Sequence, residues 1–301
     1  MSRPDLFCVE GLLESGVVDF VWGCGFRAPT VDSLCAAQHG IDRSPGMALP
    51  DRAVIACFSM QFPDLVRTLA AHHVSGRYVI LSRDSDPGAL NDDWPACIHH
   101  VVSGNAPKAT PRLTPIPGAF GPFWQIVDKT VDALRVPRRH TNRVLVSYSI
   151  DTPGSVYHAG HERITAIEYF RDKPWATVNE NLLGWATRAG PVWPSWRHAE
   201  YLALVREHDY LVVPCGYGVD RMAQWEAMAL GTIPICKKHP ALLHFAETPI
   251  AFVDDWTDVT PEWCEANKGA IERSQRLIAL SYWVARFRAL RAEIGLPEVR
   301  V

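Results

Sequence analysis

Short runs of apolar, β-branched residues alternate along the chain with longer segments whose apolar positions recur at helical spacing. This alternation is typical of a parallel α/β architecture. The pattern predicts strands over 17–23, 53–58, 77–86, 97–104, 143–150, 210–215, 232–236 and 250–256. It predicts helices over 63–73, 124–135, 161–172, 199–208 and 221–230, and a long terminal helix over 270–294.

The segment 105–123 is rich in proline and glycine and lacks either periodicity, which indicates the approach to a domain boundary. We therefore expect an α/β protein of two Rossmann-like domains that face each other across a cleft, with binding groups at the ends of their parallel strands. The predicted domains cover 1–135 and 136–275 and are followed by a terminal helix over 276–301.

The composition is that of a soluble globular protein, with 301 residues, 48% of them hydrophobic and 21% charged. A formal charge of −3 gives no overall basic field, so contact with a nucleic acid would need a local basic patch. The densest patch is RVPRRHTNR at 135–143. A solvated linker between domains is the favoured interpretation of this stretch, ahead of a polyanion site.

The eight cysteines are scattered and never form Cys-x-x-Cys. A core of this size does not need disulfides, so reduced thiols are expected. The N-terminus lacks a basic segment followed by an apolar run, and no stretch reaches the length of a membrane span. These features predict a soluble, cytoplasmic protein.

The stretch YLVVPCGYGVDRMAQWEAMALG, at 210–231, reads as strand, glycine loop and helix. Gly216 and Gly218 allow close backbone approach or positive φ, and Asp220 is placed to cap the helix. The free N–H groups at such a helix start suit a pyrophosphate. Glu226 is the only carboxylate on this apolar helix. It either pairs with an internal cation or accepts hydrogen bonds from the hydroxyl groups of a ligand.

Several blocks of this sequence resemble the exostosin-like glycosyltransferases, a family with the GT-B fold. PCGYGVDRMAQWEAMALGTIPICK at 214–237 and TPIAFVDDWTDVT at 248–260 are similar to the family's C-terminal motifs. RVLVSYSIDT at 143–152 and HERITAIEYFRDKPWATV at 161–178 resemble the segment that opens its C-terminal domain. YVILSRDSDPGAL at 78–90 and RLTPIPGAF at 112–120 are fainter matches to the N-terminal domain.

The resemblance implies a sugar transferase that uses a nucleotide sugar, such as a UDP-sugar, and no other cofactor. It also implies that the N-terminal domain (1–135) binds the acceptor, that the C-terminal domain (136–275) binds the donor, and that the terminal helix (276–301) braces the N-terminal domain. By analogy, Glu226 holds the donor ribose, and the loop from Gly216 through Tyr217 and Gly218 to Asp220 lies against the diphosphate.

Lys237 and Arg163 also match cations of the family. By this analogy, Lys237 lies near the donor and Arg163 neutralises phosphate charge. The family arginine that lies three residues before the glutamate falls on Ala223 here. Arg221 is the nearest cation on the helix, and either it reaches the same phosphate from another angle or the donor is held differently.

Asp84 and Asp86 lie at the carboxyl end of the predicted strand 77–86, where one of them would take the proton from the acceptor hydroxyl. The alternative for each is a cap or turn residue in SRDSDPG. Gly25 and Arg27, in the loop after the first strand, either contact the acceptor or form a tight βα turn. No convincing metal-binding loop is present, so the mechanism is expected to be metal-independent.

The sequence therefore predicts a glycosyltransferase that moves a sugar from a nucleotide sugar to a hydroxyl acceptor. A glycan precursor, a small molecule or a modified DNA base all remain open as the acceptor. The alternatives are a nucleotide-sugar epimerase or hydrolase, which turns over the donor alone, and a non-catalytic protein that binds nucleotide sugars.

Overall fold

The computed structural model describes residues 5–22, 42–43, 49–58, 61–83, 93–118, 124–138, 143–148, 159–179, 196–216 and 218–298. The chain divides into two units. The first unit comprises Met1–Trp124 and Ala279–Val301, and the second comprises Gln125–Ile278.

The first unit is built on a six-stranded parallel sheet in the order β2-β1-β3-β4-β5-β6. Its strands are β1 (Phe20–Trp22), β2 (Asp42–Arg43), β3 (Arg52–Phe58), β4 (Arg77–Arg83), β5 (Ile98–Ser103) and β6 (Leu113–Pro115). The central strands are continuous apolar runs and are buried, as expected for a parallel sheet covered on both faces. Among the described residues of the first unit, two helices precede the second unit, α1 (Val9–Glu14) and α2 (Phe62–His72).

The second unit holds a five-stranded parallel sheet in the order β11-β10-β9-β7-β8. Its strands are β7 (Val144–Val146), β8 (Ala176–Val178), β9 (Tyr210–Val212), β10 (Ile233–Lys237) and β11 (Ala251–Val253). Its helices are α3 (Trp124–Leu134), α4 (Ala159–Phe170), α5 (Trp196–Arg206), α6 (Met222–Ala229), α7 (Pro240–Leu243) and α8 (Pro261–Asn267). The predicted α/β class with two Rossmann-like units is confirmed.

Both sheets reverse their strand order at a defined place. In the second unit, the chain moves from β7 to β8 on one side and then crosses to β9 on the other side of β7. In the first unit, β1 lies between β2 and β3 in the same way. Open α/β sheets bind ligands outside the carboxyl ends of the strands at such a switch point. The ends of β7 and β9 are therefore the place to look for a site in the second unit.

The terminal helix α9 (Leu280–Glu293) belongs to the first unit, which confirms the predicted packing on the N-terminal domain. Its Arg291 donates from Nη1 to Oδ2 of Asp19 over 2.7 Å, and the same oxygen accepts the backbone N–H of Val54 over 2.7 Å. Nearer its start, the ring of Trp283 lies 5.9 Å from that of Phe7.

The prediction of one long helix over 270–294 was wrong. The chain forms two short 3₁₀ turns, Lys268–Glu272 and Arg276–Ile278, before α9 begins. Ile278 closes the second unit and Ala279 opens the returning part of the first. Apolar residues at helical spacing are buried in both pieces, so periodicity alone does not show that the pieces belong to different units.

The division between the units falls at Trp124/Gln125, directly after the proline-rich segment, whereas the sequence placed it at 135/136. The reason is visible where α3 ends. Arg206 donates from Nε to the carbonyl of Val136 over 2.7 Å, which ties the end of α3 to helix α5 of the second unit.

The basic stretch 135–143 is held inside the second unit in its described part. Arg138 pairs with Asp209 over 3.1 Å and also donates to the carbonyl of Gly231. Arg135 pairs with Asp132 over 2.8 Å. Arg138 is therefore a structural anchor within the second unit, whereas the pair of Arg135 with Asp132 is exposed to solvent, as expected for a solvated segment.

Candidate functional site

The switch point of the second unit brings together two segments that are far apart in the sequence. Helix α4 follows β7, and the loop 213–221 joins β9 to α6. Arg163 on α4 donates from Nε to the carbonyl of Cys215 over 2.9 Å, which fixes one segment against the other. The site is therefore built by the reversal in strand order.

Gly216 lies where two guanidinium groups meet. A Cβ at this position would be 2.9 Å from Cζ of Arg221 and 3.0 Å from Nη2 of Arg163. The need for glycine comes from this crowding. Gly216 is not among the glycines with positive φ in the described residues, so of the two alternatives that the sequence left open, close approach is the one that applies to it. The two glycines are joined by a hydrogen bond from the Gly216 N–H to the Gly218 carbonyl over 2.9 Å.

Arg163 is fixed by its surroundings, with only 2% of its surface exposed. Its guanidinium lies 5.7 Å from the ring centre of Tyr148, whose hydroxyl donates to the Arg163 carbonyl over 3.0 Å. Burial lowers the pKa of Arg163, and the same burial raises the pKa of Tyr148. An arginine stays protonated in such a setting, so a positive charge is held at the end of β9.

Arg221 is the N-cap residue of α6. Its backbone N–H donates to Oε1 of Gln224 over 3.2 Å, and its guanidinium makes one long contact of 3.5 Å with the Pro214 carbonyl. No carboxylate in the described part of the chain pairs with it. A half-buried cation next to a second cation, at the positive end of a helix dipole, favours an anion as the missing partner.

Glu162 brings one negative charge to the edge of this cluster. Its Oε1 accepts the backbone N–H of Cys215 over 3.4 Å. Burial, and then the charge of Glu162, raises the pKa of the Cys215 thiol to about 12, so this cysteine is protonated at neutral pH. Nearby, burial lowers the pKa of His239, whose Nδ1 accepts from the Ala241 N–H over 3.2 Å.

Asp220 is not the helix cap that the sequence predicted, because the cap lies one residue later. Its Oδ1 accepts from Nε1 of Trp225 over 2.6 Å and from Nε2 of Gln224 over 3.0 Å. Asp220 thus fastens the first turn of α6 to the loop before it.

Glu226 sits in the middle of α6, and its partner is a histidine. Nε2 of His198 lies 2.7 Å from Oε1 of Glu226, and both side chains are 2% exposed. The ring of Tyr201 lies nearly parallel to that of His198, with centroids 6.2 Å apart. Burial, followed by the charge of Glu226, raises the pKa of Tyr201 well above its usual value. The sequence left open whether Glu226 pairs with an internal cation or with a ligand. In the structure, one of its two oxygens pairs with the imidazole of His198.

Lys237 ends strand β10 at the same edge of the sheet. Its Nζ pairs with Oδ2 of Asp255 over 3.0 Å and lies 5.3 Å from the ring centre of Trp256. Hydrogen bonds from Thr257 and Lys237 lower the pKa of Asp255, which keeps the pair charged. Lys237 is thus oriented by the VDDW segment.

Five of the predicted site residues lie outside the described residues, namely Asp84, Asp86, Tyr217, Gly25 and Arg27. Asp84 and Asp86 follow β4 in the sequence, and Gly25 and Arg27 follow β1, next to which the first sheet reverses its strand order. Their roles stay predictions.

The sequence analysis missed His198, Tyr148 and Glu162 as members of this region. His198 was left just outside a helix predicted over 199–208, whereas the helix begins at Trp196. Its contact with Glu226 links two different helices, and local periodicity carries no sign of such a contact.

The described residues contain no group of three or more histidine, cysteine, aspartate or glutamate side chains arranged to hold a metal ion. None of their helices is both long and apolar enough to cross a membrane. The six cysteines among them, at 8, 57, 97, 215, 236 and 264, are free thiols.

The chain matches no family model, and no curated protein matches it. Solved structures show a distant likeness. An α,α-trehalose-phosphate synthase (UDP-forming) from Burkholderia vietnamiensis is 13% identical over 81% of this chain and 74% of its own, with a TM-score of 0.46. AviGT4, a glycosyltransferase involved in avilamycin A biosynthesis, is 13% identical over 79% of this chain and 85% of its own, with a TM-score of 0.38.

Proposed function

We propose that this chain is a glycosyltransferase of the GT-B type, similar in its second unit to the exostosin-like enzymes, and that the second unit binds a nucleotide-sugar donor. The observation that carries the proposal is the meeting of Arg163 and Arg221 at Gly216. Two positive charges lie side by side against the backbone of Gly216, at the switch point of a parallel sheet. A diphosphate has the charge and the acceptor oxygens to pair with both.

In this proposal the donor's ribose contacts Glu226, which lies one turn into the helix that Arg221 caps. Oε1 of this carboxylate is taken by His198, and Oε2 accepts no hydrogen bond from the described residues. A carboxylate oxygen with spare acceptor capacity, on a side chain that is 2% exposed, suits a hydroxyl donor. Phosphate near Gly216 and a hydroxyl near Glu226 together describe a nucleotide.

In the proposed reaction, the acceptor hydroxyl attacks the anomeric carbon of the donor sugar, and the bond from that carbon to the diphosphate oxygen breaks. The leaving diphosphate gains negative charge, which the guanidinium groups of Arg163 and Arg221 stabilise. The acceptor proton passes to a general base, a role for which Asp84 and Asp86 are the candidates. Because the two arginines supply the positive charge, the proposal includes no metal ion.

The acceptor is proposed only as a hydroxyl compound. Nothing in the described part of the basic stretch favours DNA, because Arg135 and Arg138 already have carboxylate partners within the second unit.

A transfer assay tests the proposal. The full chain is incubated with radiolabelled UDP-, GDP- and ADP-sugars, with and without a panel of glycans, sugar phosphates and hydroxymethylated DNA. We expect release of nucleoside diphosphate that depends on an acceptor and is lost in Arg221→Gln. Release without an acceptor would instead favour the epimerase or hydrolase, and binding without any turnover would favour the non-catalytic protein.

A further inference from the structure

The pairing of Glu226 with His198 is more specific than a ribose-binding carboxylate needs. Glu226 lies on α6 and His198 near the start of α5, so the contact joins two helices of the second unit. The 2.7 Å distance between Nε2 and Oε1 is short, and 2% exposure of each side chain removes competition from water. A hydrogen bond to a charged group is strongest in such a setting.

The pair defines how the carboxylate is oriented. Since a carboxylate only accepts, Nε2 of His198 is the donor and carries the proton. The stacking of Tyr201 on the imidazole limits rotation of the ring. With Oε1 fixed in this way, the plane of the carboxylate is set, and the direction in which Oε2 faces is set with it.

We propose that His198 is a positioning residue for the nucleotide site, and that it makes the site selective for ribose over 2′-deoxyribose. The inference rests on the proposed function, because it assigns a task to the ribose contact of Glu226. A carboxylate that can rotate accepts from whichever hydroxyl remains. A carboxylate that is fixed at one oxygen presents the other in a single direction, and a missing hydroxyl there leaves a buried acceptor unpaired.

Calorimetric titration of the full chain tests this inference. The probes are UDP, GDP, their 2′-deoxy counterparts and inorganic diphosphate, which meets the arginines but carries no ribose. The variants are His198→Leu, which removes the donor, and His198→Gln, which retains an amide donor. Because loss of a buried donor lowers stability, each melting temperature is recorded, and titrations are run well below it.

We expect the wild-type chain to bind its preferred ribonucleotide at least about tenfold more tightly than the deoxy form, the scale of one hydrogen bond to a charged group. His198→Leu should lose that preference and keep its affinity for inorganic diphosphate. His198→Gln should keep part of the preference.

Three results would overturn the inference. The first is a wild-type chain that binds the ribonucleotide and its 2′-deoxy counterpart equally. The second is a His198→Leu variant that retains the preference for the ribonucleotide. The third is an equal loss of nucleotide and diphosphate affinity in His198→Leu, which indicates a structural role. Failure of the proposed nucleotide site looks different, because then the wild-type chain binds neither nucleotides nor diphosphate, and failure of the proposed transfer reaction leaves binding intact without acceptor-dependent release.

Discussion

The guanidinium groups of Arg163 and Arg221 border one point beside Gly216, although Arg163 lies on the helix after β7 and Arg221 caps the helix after β9. The sequence keeps them 58 positions apart, and the reversal in strand order joins them. Like charges repel, and Glu162 supplies one negative charge at the edge of the cluster, so we propose that a bound anion offsets the remaining positive charge.

Replacing Arg221 tests this explanation. Arg221→Gln removes the charge and leaves the backbone N–H bond to Gln224 in place. We expect nucleoside diphosphates to bind about 10- to 100-fold more weakly, the range for loss of a hydrogen bond to a charged group. The matched control is Arg135→Gln, which removes an exposed charge of the same unit. An equal effect of both variants on affinity would indicate only a change in net charge.

Gly216→Ala tests the crowding at the same point. The added Cβ meets the ends of two arginine side chains at 2.9 and 3.0 Å, so both must move. We expect weaker binding of inorganic diphosphate by calorimetry and a loss of about 1–2 kcal/mol in the free energy of unfolding. Gly269→Ala is the control, because nothing lies within 4 Å of its new Cβ. Unchanged diphosphate affinity in Gly216→Ala would contradict the assignment of this point to a phosphate.

The first unit should show acid sensitivity that comes from His100. Burial, and then the charge of Arg286, lowers the pKa of His100 to about 4, so the folded protein keeps it neutral while the unfolded chain protonates it near 6.5. Because the unfolded state binds more protons between these values, stability falls as the pH drops from about 6.5 to 4. Denaturant unfolding at several pH values should show a smaller drop for His100→Gln. Parallel pH curves for the two proteins would contradict this prediction.

Arg291→Gln should destabilise the first unit. The pair with Asp19 is mostly buried, and its loss leaves the carboxylate with only the Val54 N–H as a hydrogen-bond donor in the contacts described above. We expect a loss of about 2–3 kcal/mol in the free energy of unfolding, measured by denaturant titration. Arg67→Gln, which breaks the exposed pair with Asp64, should change it by less than about 0.5 kcal/mol. Equal effects would mean that the buried pair does not brace α9.

The sequence predicted the buried strands well, because continuous apolar runs such as β3 and β4 are distinctive. It missed β2 and β6, which are two or three residues long and pair at the edges of the sheet. It also missed β8, which is only half-buried. Elements that owe their structure to a neighbouring strand leave a weak local pattern.

The candidate site was likewise predictable only where its residues are close together in the sequence. The glycine loop and Glu226 could be found because strand, loop and helix are consecutive in the sequence. Its partner His198 could not, since that contact depends on how two helices pack. For Asp220 the sequence predicted a local role as the helix cap. In the structure this side chain instead accepts hydrogen bonds from Gln224 and Trp225.

A crystal structure of the full chain with bound UDP or GDP tests the central claim most directly. The account predicts that phosphate oxygens lie beside Gly216 within hydrogen-bonding distance of the Arg221 guanidinium, and that a ribose hydroxyl donates to Oε2 of Glu226. A nucleotide bound elsewhere, with Arg221 free of phosphate and Glu226 bonded to His198 alone, would contradict it.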